Sequence, residues 1–208
     1  MRKRLSCVAK AGKSPGMSND KHYISANALL EDSFRLARAI LDSGFRPTHI
    51  VGVWRGGAPV GIAVQEYLAK CGLETDHIAI RTASYTGIDQ QDHNVRVYGE
   101  GYLVDTLGAD DRLLIVDDVY DSGRSIAAVL QVLRAKCRRN FPDDARIATV
   151  YYKPLRNTTE LTPDYYVHES DEWLVFPHEI CGLTTDELAA KGLPEDLLPG
   201  TDGKPVKA

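Results

Sequence analysis

One stretch near the middle of the chain, Leu113 to Ser125 (Leu-Leu-Ile-Val-Asp-Asp-Val-Tyr-Asp-Ser-Gly-Arg-Ser), leaves few options for the fold around it. Leu113 to Val116 is a short apolar run rich in branched side chains, as in a strand buried on both faces. Asp117 and Asp118 follow, then Asp121 and the small polar run Ser122-Gly123-Arg124-Ser125. Beyond it Ile126, Val129, Leu130 and Leu133 recur at helical spacing. A strand therefore passes through a short loop into a helix. The start of a helix presents unpaired N–H groups and the positive end of its dipole, which suits a phosphate. Gly123 allows close approach of the backbone, and Ser122 and Ser125 can donate hydroxyl hydrogen bonds. Carboxylates beside such a cradle would repel a bare phosphate, so they imply sugar hydroxyls, a metal ion, or both.

Bulk properties exclude several classes. The chain has 208 residues, enough for one domain with a sizeable core. Its net charge is −4, although Arg2, Lys3, Arg4, Lys10 and Lys13 all lie in residues 1–16, where there is no acid. The remainder is thus more acidic than the total, which disfavours non-specific nucleic-acid binding. Cys7, Cys71, Cys137 and Cys181 form no CxxC pair or zinc pattern, as expected of reduced thiols in cytoplasm. No apolar run approaches a membrane span, and residues 1–16 lack the apolar core of a secretory signal. That basic segment has some transit-peptide character. A disordered tail, or an extension upstream of a start at Met17, is the stronger expectation.

Apolar positions Leu29, Leu30, Leu36, Ala37, Ile40 and Leu41 predict a helix from Ser25 to Ser43, capped by Ser25 or Asn27 and closed by Gly44. Thr48 to Val53 predicts a strand, Ala58 to Cys71 a helix, and His77 to Ile80 another strand. Residues 82–101 are polar and Gly-rich, as in a functional lid, with Asn94 to Tyr98 and Gly101 to Val104 as a candidate hairpin. Strands follow over Arg146 to Tyr152 and Tyr165 to Val167, then short helical turns at Asp186–Lys191 and Glu195–Leu198. This alternation predicts an α/β fold, a mainly parallel twisted sheet flanked by helices, with ligands at the carboxyl ends of the strands. The expected division is a basic tail over 1–18, one domain over 19–182 and a partly irregular extension over 183–208.

Taken whole, the acidic elbow with its Ser-Gly-x-Ser cradle resembles the ribose-phosphate motif of the type I phosphoribosyltransferases. Trp54-Arg55-Gly56-Gly57, a strand end with a guanidinium and two glycines before a helix, resembles the pyrophosphate loop of that family. The peptide before the basic residue is often a non-proline cis bond there, so the resemblance points to Trp54–Arg55. Ser84-Tyr85 resembles the mobile catalytic loop of the 6-oxopurine branch, which closes over the pyrophosphate. The lysine-rich lid of orotate-type transferases is absent, Arg96 being the only cation between Thr82 and Gly101. Lys153, with the run Asp171 to Glu179, resembles the base pocket of xanthine-guanine and hypoxanthine phosphoribosyltransferases. The lysine there reads the 6-oxo group, an aromatic residue (here Trp173) stacks on the purine, and backbone near Leu174 with Glu179 completes the readout. Glu179 replaces the usual aspartate and His178 a tryptophan.

The resemblance, over roughly residues 24–180, implies the type I fold with a small hood and a mobile loop, and transfer of phosphoribose from phosphoribosyl pyrophosphate (PRPP) to a 6-oxopurine, yielding nucleoside monophosphate. It implies Mg²⁺, held by Asp117 and Asp118 partly through water or ribose hydroxyls, and Asp121 as general base. Asp117 and Asp118 bind ribose, Ser122, Gly123, Arg124 and Ser125 the 5′-phosphate, and Trp54 to Gly57 the pyrophosphate. A homodimer or homotetramer is expected, with neither nucleic acid nor membrane as partner. Two rivals are a transferase for another base and a non-catalytic sensor of PRPP or nucleotide on the same fold.

Overall fold

The computed structural model describes residues 21–84 and 95–198. Six strands form one sheet: β2 (His49–Trp54), β3 (Asp76–Ser84), β4 (Val95–Tyr98), β5 (Arg112–Tyr120), β6 (Asp144–Tyr152) and β7 (Tyr165–Glu169), in the order β4-β3-β2-β5-β6-β7. All neighbours pair in parallel except β4, which runs antiparallel to β3 at one edge. A second, two-stranded parallel sheet joins β1 (Lys21–Tyr23) to β8 (Trp173–Val175) and forms the hood. The helices are α1 (Ala26–Asp42), α2 (Gly57–Lys70), α3 (Gly101–Thr106), α4 (Arg124–Cys137) and α5 (Thr185–Ala190).

The central strand explains the apolar run. Leu114 and Val116 of β5 pack into a core with Leu36 and Ile40 of α1 and Val60, Val64 and Leu68 of α2. Leu113 and Ile115 face the other way, into a core with Leu103 of α3 and Ile126, Val129 and Leu133 of α4. A strand covered by helices on both faces needs apolar side chains at every position. The polar residues begin where that cover stops. The Ser25 hydroxyl caps α1 by accepting from the Ala28 N–H at 3.1 Å. No described helix is long and apolar enough to cross a membrane, and Cys71, Cys137 and Cys181 are free thiols.

Several expectations need correction. The hairpin is not formed: Val95–Tyr98 pairs with Arg81–Ser84 of β3, and Gly101–Thr106 is helical. Strand β5 does not stop at Val116 but continues to Tyr120, because Asp117, Val119 and Tyr120 pair with Thr149, Tyr151 and Tyr152 of β6. Asp117 and Asp118 are therefore strand residues, not loop residues. Leu30 is exposed rather than on the buried face of α1. The three-residue strands β1 and β8 were not anticipated. Tyr85, the basic segment over residues 1–16 and the last residues of the extension lie outside the described residues.

Helix α2 lies unusually close to the sheet. A Cβ on Gly52 of β2 would sit 3.0 Å from the Gly57 carbonyl oxygen, and one on Gly61 would sit 3.5 Å from Gly52 Cα. On Gly57 it would meet the Val116 carbonyl oxygen at 2.4 Å and Asp117 Cα at 2.9 Å. Those neighbours are backbone atoms of the central strand and cannot swing aside. Gly57→Ala is therefore expected to lower stability by about 1–3 kcal/mol through overpacking. The check is the urea midpoint at constant slope; an unchanged midpoint would show that α2 does not approach β5 this closely.

Candidate active site

The carboxyl end of β5 and the start of α4 enclose a cavity of about 220 Å³, lined by residues 117–123, Ser125 and Ile126. Gly123 is the N-cap of α4, with φ +77°, and no side chain caps the helix start. That positive φ is readily adopted only by glycine. Space is equally restrictive, since a Cβ at Gly123 would lie 2.5 Å from the Tyr120 hydroxyl and 2.6 Å from Thr159 Oγ1. The Ser122 carbonyl accepts from the Thr158 N–H and hydroxyl, each at 3.1 Å. Thr158 Oγ1 in turn accepts from Arg124 Nε at 3.3 Å. The loop's carbonyl is thus used by the 157–161 segment, while the first-turn N–H groups of α4 stay open for an anion.

The second glycine loop lies directly against this one. The Trp54–Arg55 peptide is cis, as the resemblance implied. A Cβ on Gly56 would fall 2.0 Å from Asp118 Oδ2, inside the carboxylate. Trp54 and Arg55 are exposed, and the Arg55 carbonyl accepts from the Ala58 N–H at 3.2 Å to start α2. The two candidate anion loops therefore share one edge of the sheet, at the ends of the adjacent strands β2 and β5.

The acids at this edge are held differently from one another. Asp117 Oδ1 accepts the Asp118 N–H at 3.0 Å, and burial, then the charge of Asp118, raises its carboxyl well above the ordinary value. Asp118 is buried, accepts the Val119 N–H at 2.8 Å and faces His178 Nε2 at 3.4 Å. His178 stacks on Phe176 with ring centres 5.8 Å apart. Asp121 is half-exposed; its Oδ1 pairs with Arg156 Nε at 2.9 Å, and its Oδ2 stands 3.9 Å from Lys153 Nζ.

Lys153 connects the elbow to the hood. Its N–H donates to the Tyr120 carbonyl at 2.9 Å, which continues the β5–β6 register past the end of β6. Its side chain is buried and its ammonium donates to the Glu172 carbonyl at 2.8 Å. Burial lowers its pKa, against the opposing charge of Asp121 and with the help of Arg156. Just beyond Glu172, Trp173 is 58% exposed on β8, with Lys21 Nζ 5.3 Å from its ring centre. It is not a core tryptophan. Leu174, the next residue of β8, is buried, and Glu179 Oε2 accepts the Phe176 N–H at 3.0 Å, closing the turn over residues 176–179.

The structure thus brings Asp117, Asp118, Asp121, Gly56, Gly57, Ser122, Gly123, Ser125 and Lys153 to one edge, with β8 adjoining through Glu172. Ser84 ends β3, its backbone paired with Val95. Arg156 was missed, although Lys-Pro-Leu-Arg after a strand carries two cations within reach of the elbow. His178 was read only as a departure from a family pattern, and nothing in the sequence tied it to Asp118.

The family model described as the phosphoribosyl transferase domain matches residues 23–181. A comparison with curated protein sequences found no match. Among solved structures, a purine phosphoribosyltransferase from Pyrococcus horikoshii is 27% identical with a TM-score of 0.62, over 79% of this chain and 97% of its own. A xanthine-guanine-hypoxanthine phosphoribosyltransferase from Helicobacter pylori is 21% identical with a TM-score of 0.63, over 83% and 99% of the two chains. A Neisseria gonorrhoeae hypothetical protein with bound ppGpp is 19% identical with a TM-score of 0.66, over 85% and 99%. The last two likenesses concern the fold. With a family match over most of its length, a parallel sheet of the type I kind and two glycine loops meeting at an acidic strand end, the chain belongs to the phosphoribosyl transferase domain family and is a phosphoribosyltransferase.

Proposed function

We propose that the protein transfers phosphoribose from PRPP to a 6-oxopurine (hypoxanthine, guanine or xanthine), releasing pyrophosphate and a nucleoside 5′-monophosphate. The observation that carries this reading is Lys153. It is a buried ammonium bonded to Glu172 of the hood and 3.9 Å from Asp121 of the elbow, so a donor for a ring carbonyl stands between the sugar cradle and the exposed indole of Trp173. The Pyrococcus horikoshii purine phosphoribosyltransferase, 27% identical, supports a purine as the base.

In this reading the 5′-phosphate sits on the open N–H groups of Gly123 to Ser125 and the hydroxyls of Ser122 and Ser125, beside Arg124. This remote binding fixes the position of the reacting carbon. Arg55 and the Gly56–Gly57 backbone take the pyrophosphate. As that group leaves, the ribosyl carbon becomes oxocarbenium-like, and the carboxylates of Asp117 and Asp118 favour the developing positive charge. Asp121 accepts the purine N–H proton. Its Oδ1 is held by Arg156, and Oδ2 keeps a free lone pair toward the base. Trp173 stacks on the purine.

Mg²⁺ fits the donor set in one way only. Among the described residues no three ligating side chains converge, whereas Asp117 and Asp118 are adjacent and Asp117 is pushed toward its neutral form by burial and like charge. Mg²⁺ commonly takes one or two carboxylates and completes its shell with water and substrate oxygens. Asp117 and Asp118 would hold it, directly or through water and ribose hydroxyls; when bound it neutralises charge on the departing pyrophosphate.

The test is product formation from PRPP with labelled hypoxanthine, guanine and xanthine. At least one should give its monophosphate, with turnover abolished by chelation and restored by Mg²⁺; no product from any of the three would refute the reading. Asp121→Asn should lower kcat by about 10²–10⁴-fold, the range for a lost general base, with nucleotide affinity kept. Unchanged turnover would remove Asp121 from that role. Trp173→Ala should raise the purine KM by about 5–100-fold, corresponding to one stacked base, and leave the PRPP KM near wild type. Equal losses for both substrates would mean that the indole does not contact the base.

A further inference from the structure

The family match ends at residue 181, but the chain after it is built into the base-binding side of the molecule. Helix α5 starts with a full capping box, in which the Thr184 hydroxyl accepts the Glu187 N–H and Glu187 accepts the Thr184 N–H. Leu188 is buried, and Glu187 pairs with Lys21 of the hood at 2.5 Å. These contacts fix the end of α5, where Lys191 stands as the C-cap.

Lys191 turns back on the chain. Its ammonium donates to the Phe176 carbonyl at 2.6 Å and also to the Glu179 carbonyl. The same turn is closed by Glu179 N–H donating to the Phe176 carbonyl at 3.0 Å, and by Phe176 N–H donating to Glu179 Oε2 at 3.0 Å. One cation therefore ties both ends of the turn over residues 176–179 through charge-assisted bonds. Burial lowers the Lys191 pKa and the charge of Glu179 opposes that fall, as expected of an ammonium enclosed by the turn it holds. The turn is joined to the catalytic edge: Phe176 stacks on His178, and His178 faces Asp118 at 3.4 Å.

We propose that Lys191, supplied by a segment beyond the family domain, is a positioning residue that sets the geometry of the base-recognition turn 176–179 and hence purine affinity. The inference rests on the reading that this turn borders the base pocket. With both carbonyls tied to Lys191, the turn presents Glu179 in one arrangement next to β8. Without the ammonium the two carbonyls lose a shared donor and the carboxylate of Glu179 loses its balancing charge. The turn then samples other shapes, and the purine must select among them.

The experiment compares full-length wild type with Lys191→Met, which keeps the length of the stem but removes the donors, and with Lys191→Gln, which keeps a neutral donor. Steady-state kinetics should show the purine KM raised about tenfold in Lys191→Met, as for the loss of charge-assisted bonds, and raised less in Lys191→Gln. The PRPP KM should stay within about twofold of wild type. Amide hydrogen exchange over residues 174–179 should accelerate in the same order without acceleration in β5. Unchanged exchange in that segment, or equal changes in both KM values, would overturn the proposal. If Lys191→Met fails to fold, Lys191→Gln decides by the same criteria. If the wild type turns over no purine, the functional reading falls, while the exchange measurement still decides whether Lys191 holds the turn.

Discussion

The site depends on how closely helix α2 packs on the sheet. Gly52, Gly57 and Gly61 remove the Cβ atoms that would separate the helix from β2 and from the end of β5. A Cβ at these positions would force the start of the helix away from the strand ends. Here Gly56 lies where only hydrogen can face the Asp118 carboxylate. The glycines that look like phosphate-loop residues thus have a second reason to be glycine. They bring the two candidate anion loops together at adjacent strand ends.

That proximity has an electrostatic consequence. Burial pushes Asp117 up and Lys153 down, both toward the neutral form, although the two bear opposite charges. A group whose folded pKa is raised contributes stability while it is protonated and loses that contribution as pH climbs through the folded pKa. Acids are thus crowded at one strand end with a desolvated ammonium nearby. Asp121, by contrast, has Arg156 Nε 2.9 Å from its Oδ1.

What could be read beforehand divides along the range of the interactions involved. Leu113 to Ser125 was legible because its information is local: an apolar run, three acids, a small-residue cradle and a helical repeat. The cis peptide at Trp54–Arg55 followed from the resemblance alone. Interactions spanning long stretches of chain were not legible. Val95 to Tyr98 alternates as a strand should, but its partner lies across the loop in β3 rather than in the adjacent Gly101–Thr106, which is helical. Extension of β5 through Asp117 to Tyr120 is imposed by β6, since no local propensity favours paired aspartates in a strand. Strands β1 and β8 are three residues each and exist only because each finds the other from opposite ends of the domain. Arg156, His178 and Lys191 look like ordinary surface residues until the fold supplies their partners.

In the proposed reading the two halves of the reaction rest on different parts of the molecule. The sugar and phosphates would sit at the sheet edge, where backbone groups and short side chains are held by a core that covers both faces. In that reading the base falls to a thin assembly of β1, β8 and α5, joined to the rest through Lys153 at Glu172, His178 at Asp118 and the buried side chains of Leu174 and Phe176. A rigid core resists change in one group without disturbing others. A small hood tied by a few polar contacts does not share that constraint. On the proposed function, substitutions in the hood would alter which purine is accepted while the chemistry of phosphoribosyl transfer stays intact. Glu179, His178 and helix α5 all lie on that side.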